Sequence, residues 1–137
     1  MRIVSAAVDV SRALALLVTC CIANANETIR VGTAIAESGE RVRGVIAVAA
    51  GDDGVATEIP ITVVNGAEAG PVLALIAGVH GSEYAPILAM QQVAGDLQAE
   101  QLAGAVIIVH IANLPSFQRR TIYVGPHDLK NLNRSFP

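Results

Sequence analysis

Tryptophan is absent from this chain of 137 residues, and aromatic residues make up only 3% of it. Its core must therefore be built from Val, Ile, Leu and Ala, and there is no aromatic platform on which bases could stack. Charge is scarce as well: 15% of residues are charged and the net charge is −3. No basic face meets a phosphate backbone, which excludes nucleic acid as a partner. The only cysteines, Cys20 and Cys21, stand together near the amino end. If that end is removed, no thiol is left for a disulfide or a metal. A Gly-x-Ser-x-Gly elbow is missing, which disfavours a serine hydrolase. So are the Gly-x-Gly-x-x-Gly and Gly-x-x-x-x-Gly-Lys patterns that cradle nucleotide phosphates.

What the chain does have is apolar sequence, 53% of the total, too much for a disordered segment. Arg2 and Arg12 lie at the amino end, an apolar stretch runs from Ala13 to Ala23, and Ala23-Asn24-Ala25 has the small-x-small form of a cleavage site. Residues 1–25 thus read as a signal peptide, with a buried N-terminal helix as the alternative. Leu17-Val18-Thr19-Cys20 is a poor match to a lipoprotein attachment sequence because Thr precedes the Cys. The apolar stretch is shorter than the roughly 20 residues that span a bilayer. The expectation is an exported chain, periplasmic or secreted, with no stable membrane insertion after processing.

From Thr28 to Gly66 the pattern is β-like. Arg41–Val48 partly alternates, Glu58–Val64 is rich in branched residues, and Gly51-Asp52-Asp53-Gly54 between them signals a turn. Pro60 cannot donate to a ladder, so its strand is expected at a sheet edge or to begin near the proline. Val72–Ala77 and Ala105–Ile111 are continuous apolar runs of the kind found in strands covered on both faces. Between them Ile87, Met90, Ala94 and Leu97 recur at helical spacing, and Pro86 confines the helix start to near Glu83. This predicts a β-α-β unit with parallel strands. Both strands then end at one edge, which brings the residues after the first, His80 and Glu83, to the same cleft as Asn113 after the second. Residues 113–137 show no periodicity and carry Arg119, Arg120, Lys130 and Arg134, which reads as a long functional loop.

Gly78-Val79-His80-Gly81-Ser82-Glu83 carries the strongest chemical signal. An imidazole and a carboxylate presented together at a strand end are two of the three protein ligands of a catalytic zinc, although His-x-x-Glu alone also arises by chance. His110 and His127 are both open as a third ligand, with a core histidine and a solvated one as the plainer readings. Arg120 and Arg134 could bind a carboxylate or a developing oxyanion, or simply belong to a solvated basic loop.

Four blocks remove much of this ambiguity. Gly78-Val79-His80-Gly81-Ser82-Glu83-Tyr84, Asn113-Leu114-Pro115-Ser116-Phe117, Arg120-Thr121-Ile122-Tyr123-Val124 and Asn131-Leu132-Asn133-Arg134-Ser135-Phe136-Pro137 occur in this order. The chain from about Thr28 to Pro137 resembles the succinylglutamate desuccinylase/aspartoacylase family of zinc carboxypeptidase-like hydrolases. The resemblance implies an α/β fold with a mixed sheet flanked by helices, truncated at its C-terminal side, with residues 26–137 forming the N-terminal part of a catalytic domain. It also implies one Zn2+, with His80 and Glu83 as the first two ligands. Arg120 matches the arginine that polarises the scissile carbonyl, and Asn133 and Arg134 match the pair that holds the substrate's carboxylate. Asn113 matches a cleft asparagine. The family's third ligand and its general-base glutamate are expected beyond Pro137. One departure stands out: family members commonly have Asp-Gly before the Lys-Asn-Leu-Asn-Arg block, where this chain has Asp128-Leu129.

The resemblance thus implies zinc-dependent hydrolysis of an amide in a small, carboxylate-bearing substrate such as an N-acyl amino acid. A carboxypeptidase acting on peptides would use the same metal and arginines. An inactive remnant that keeps the fold without the chemistry is the non-enzymatic alternative.

Overall fold

The computed structural model describes residues 27–51 and 54–136; the signal-peptide reading of residues 1–25 lies outside them. Six strands and two helices follow in the order β1 (Ile29–Val31), β2 (Ala34–Ala36), β3 (Glu40–Val48), β4 (Thr57–Asn65), β5 (Glu68–Ile76), α1 (Tyr84–Asp96), β6 (Ala103–Val109) and α2 (Leu114–Arg119). Strands β3 to β6 form one sheet in the order β3-β4-β6-β5, while β1 and β2 form a small hairpin. The sheet is mixed: β3, β4 and β6 pair antiparallel, whereas β5 and β6 run parallel. The α/β class with a mixed sheet is what the sequence led one to expect, and α1 is the crossover of the β5-α1-β6 unit.

Alternation along the strands divides the core in two. On one face Ile61 and Val63 pack against Ala34 and Ala36 of the hairpin. On the other, Val106 and Ile108 receive Ala94 from α1, with Leu75, Met90 and Val93 around them. A smaller cluster of Ala77, Ile87 and Ile111, backed by Met90, Leu114 and Phe117, ties both helices to the strand ends. Area removed from water by these branched side chains stabilises the fold in the absence of large aromatics.

Three expectations are corrected. Strand β4 is not an edge strand: it lies between β3 and β6. Pro60 is tolerated because the ladder with β6 begins only at Ile61, opposite Val109. Its carbonyl accepts the His110 N–H, so its nitrogen faces the same neighbour just past the end of that ladder, where no donor is required. Second, β5 is not covered on both faces among the described residues. It is the sheet's outer strand, with Val72, Leu73 and Ile76 exposed. Third, the stretch after Asn113 is not structureless among the described residues. It forms α2 and a 3-10 turn over Leu132–Arg134. Asn113 accepts the Ser116 N–H as N-cap and a proline occupies the first turn, so capping chemistry starts a helix too short to show periodicity.

The strand ends are joined beyond the ladder. The Ala112 N–H donates to Ala77 O and the Asn113 N–H donates to Gly78 O, both at 2.9 Å. Gly78 has φ +65°, and a Cβ there would come within 2.9 Å of the Ile111 Cα. The bare backbone lets the two post-strand segments close side by side.

Candidate metal centre

His80 lies in the turn between β5 and α1, and Glu83 is the N-cap residue of α1. The Glu83 side chain makes no capping bond to the helix, because its carboxylate turns back toward His80. Oε2 accepts the His80 backbone N–H at 3.2 Å, and Oε1 lies 2.9 Å from His80 Nδ1. The other ring nitrogen, Nε2, lies 3.0 Å from Asn131 Oδ1. That oxygen also accepts the Asn133 N–H at 3.0 Å, which orients the amide with its oxygen toward the ring.

These contacts determine where the imidazole hydrogen sits. Asn131 Oδ1 can only accept, so Nε2 must carry a hydrogen and donate it. In neutral His80 the Nδ1 lone pair then points at a carboxylate oxygen 2.9 Å away. Two acceptors at that distance repel unless a positive charge stands between them. A proton is one solution: the Glu83 hydrogen bond, followed by that to Asn131, raises the His80 pKa above the ordinary 6.5. For Glu83, desolvation acts upward, but the hydrogen bonds from the His80 side chain and backbone outweigh it and hold the pKa below its usual value.

A zinc ion is the other solution, and the donors fit it. Ligand distances of about 2.0–2.2 Å place two ligands of a tetrahedral ion about 3.4 Å apart, a modest opening of the gap seen here. The Nε2–H···Oδ1 bond is the outer contact that fixes the tautomer of a metal-ligating histidine. Among the described residues no group of three His, Cys, Asp or Glu side chains could hold a metal, so this pair would supply only part of a ligand set. His110 does not join it: Nε2 lies 2.8 Å from the buried Thr62 hydroxyl. Burial, and then the charge of Arg43, lower the His110 pKa. His127 lies in the loop after α2 and is not grouped with the pair either.

The remaining residues singled out in the sequence surround the pair unevenly. Arg134 sits in the 3-10 turn, and its charge is felt at His80, where it opposes protonation. Asn133 is in the same turn, and its backbone N–H helps orient Asn131. Arg120 is the C-cap of α2, in the left-handed region with φ +55°. Asn113 lies at the same sheet edge, but its side-chain oxygen is engaged in capping α2. Two neighbours were not foreseen. Tyr123 meets the His80 ring edge-on, with centroids 5.4 Å apart. Asn131 carries no role in the sequence reading, although its spacing two residues before Asn133 is that of a local Asn turn, which aims Oδ1 inward.

The sequence profile described as the succinylglutamate desuccinylase/aspartoacylase catalytic domain matches residues 69–137. The chain is 48% identical over 84 residues to the N-alpha-acetyl-L-2,4-diaminobutyric acid deacetylase of Halomonas elongata, an alignment covering 60% of this chain and 23% of that protein. Among solved structures, it is similar to a succinylglutamate desuccinylase/aspartoacylase from Rhodobacter sphaeroides, with 34% identity and a TM-score of 0.63. It is likewise similar to the product-bound ectoine utilization protein EutE (DoeB) from Ruegeria pomeroyi, with 36% identity and a TM-score of 0.61. Each of these two matches covers 71% of this chain and 30% of the solved one, so the chain spans under a third of its relatives' length. With more than half of its residues matched by the catalytic-domain profile, the chain belongs to the succinylglutamate desuccinylase/aspartoacylase family.

Proposed function

We propose that this chain supplies two metal ligands and the substrate-orienting loop of a zinc-dependent deacylase that cleaves an amide bond in a small, carboxylate-bearing substrate such as an N-acyl amino acid. The observation that carries this reading is the approach of His80 Nδ1 to Glu83 Oε1 at 2.9 Å while Asn131 engages the other ring nitrogen. The names of the relatives point the same way, since the Halomonas protein is called a deacetylase and the family is named for removal of succinyl and aspartate-linked acyl groups.

When bound, zinc would act as a Lewis acid toward the carbonyl and make water acidic enough to attack near neutral pH. His80 and Glu83 hold it, and Asn131 keeps the imidazole in the tautomer that presents Nδ1. Arg120 stabilises the negative charge that develops on the carbonyl oxygen, a donor typically worth about 3 kcal/mol. Asn133 and Arg134 bind the substrate's carboxylate through charge-assisted hydrogen bonds and set its orientation. The third ligand and the general base come from elsewhere in the protein. Residues 1–25 are proposed to direct export.

Zinc titrated into the protein that carries this segment, followed by equilibrium dialysis and metal analysis, tests the grip. His80→Ala and Glu83→Ala should each weaken binding at least about tenfold, and zinc retained undiminished by both variants would overturn the assignment. The substrate class is tested on the protein that carries this segment, by comparing amine release from N-acetyl amino acids with trimming of a short peptide. Faster trimming of the peptide would replace the deacylase by a carboxypeptidase.

A further inference from the structure

Gly81 sits between the two ligands and is buried. A Cβ built on it would stand 2.3 Å from Ser116 O, 2.5 Å from Ser116 C and 2.4 Å from Thr121 O. All three are backbone atoms, so no side chain can rotate away to make room. The carboxyl end of α2 rests directly on the backbone of the His80–Glu83 turn.

That end is internally fixed. The Thr121 N–H donates to Ser116 O at 3.0 Å, and the Ser116 and Thr121 hydroxyls both donate to Val124 O, at 3.0 and 2.7 Å. Ser116 is fully buried, and Phe117 packs against the cluster of Ala77, Ile87 and Ile111. Arg120 is the left-handed residue that closes α2, lying in sequence between the two carbonyls that touch Gly81.

We propose that Gly81 is a positioning residue: its bare Cα is the seat on which the end of α2 settles, and this seat sets how far Arg120 stands from the His80–Glu83 pair. The inference rests on the deacylase reading for what Arg120 does, but not for where Arg120 is held. Inserting a methyl group requires the 116–121 segment to retreat by about an ångström to reach ordinary contact, a displacement that in active sites can cost about a hundredfold in rate. The ligands themselves need not move, so a change at Gly81 should be read at Arg120 rather than at the metal.

Two measurements on the 137-residue chain test this. Without any cation, Gly81→Ala should shift the amide NMR resonances of residues 116–124 more than those of 131–134; unshifted 116–124 resonances would overturn the inference. With Zn2+ bound, acetate serves as a probe of the carbonyl-side anion site. Arg120→Ala and Gly81→Ala should each weaken acetate about tenfold, with zinc affinity held within about twofold. The double variant should bind acetate no more weakly than Arg120→Ala alone, since both act through one guanidinium. Additive losses would mean that Gly81 does not work through Arg120.

Should Gly81→Ala fail to fold, Phe117→Leu loosens the same seat from its other side while adding no atom beside His80. Its acetate loss should again vanish in the Arg120→Ala background, and an undiminished loss there would overturn the proposal. A longer protein carrying this segment that binds no zinc would count against the deacylase reading, while the cation-free NMR result on the chain would still decide the placement of Arg120.

Discussion

Leu129 holds a conformation that its side chain disfavours. It has φ +55°, in the left-handed region that costs an L-residue about 1–2 kcal/mol, at the position where family members commonly carry glycine. The turn keeps its shape all the same: the Leu129 N–H donates to Gly125 O, the Gly125 N–H donates to Lys130 O, and Asp128 Oδ1 accepts the Lys130 N–H. These bonds deliver Asn131 to His80, which is why the strain is tolerated beside the site. The side chain is 73% exposed, so its removal loses little packing. Glycine there would relieve the strain but add about 0.4–1 kcal/mol of unfolded-state entropy to be overcome. Relief is the larger effect. Leu129→Gly should therefore stabilise the chain by about 0.5–1 kcal/mol, read as a higher urea midpoint; a lower midpoint would show that the leucine makes contacts that outweigh its backbone cost.

At the scale of elements, α1 ends without a basic residue in its last turn, and its carbonyls are served from across the sheet. Arg41 on β3 directs Nη1 to Ala94 O, Gly95 O and Leu97 O, at 3.0, 2.9 and 3.3 Å. A cation over a helix C-terminus offsets the macrodipole and satisfies carbonyls left open by the last turn. Arg41→Ala should cost about 1 kcal/mol, discounted for exposure, and hydrogen exchange should rise first in the last turn of α1. Unchanged protection there would show the contact to be idle.

The same scale explains what the sequence could disclose. α1 was legible because four apolar residues repeat at helical spacing and Pro86 limits its start. α2 was not, because six residues give no period, and its evidence was an asparagine cap and a proline. Pro60 misled because the rule about proline concerns individual ladder bonds, and β4 has its second partner only from Ile61 onward. His80 and Glu83 were legible as a contiguous motif. Asn131 was not, since it meets His80 from 51 positions away and only the folded loop brings them together.

For the whole molecule, the telling feature is the mismatch between β5 and its surroundings. Its continuous apolar run is that of a strand covered on both faces, yet Leu73 is 54% exposed and Ile76 50%, and its outer edge has no strand partner among the described residues. Relatives of known structure are more than three times as long as the part they share with this chain, and a strand of this composition suits a sheet of that larger size. Among the described residues the edge presents unpaired backbone donors and acceptors beside apolar side chains, which templates pairing with another chain. Leu88 on α1 is exposed as well and adds to the apolar surface of the chain. Light scattering should therefore show concentration-dependent self-association of the 137-residue chain. A lysine projecting from the edge should suppress it, because a second strand could dock only by desolvating the ammonium group. Leu73→Lys is the suitable change: the residue is half exposed, seven positions before His80, and outside the three core clusters, so zinc binding should survive while the associated fraction falls. Self-association that persists unaltered in Leu73→Lys would place the sticky surface elsewhere, and a chain that stays monomeric at high concentration would show that the β5 edge is shielded.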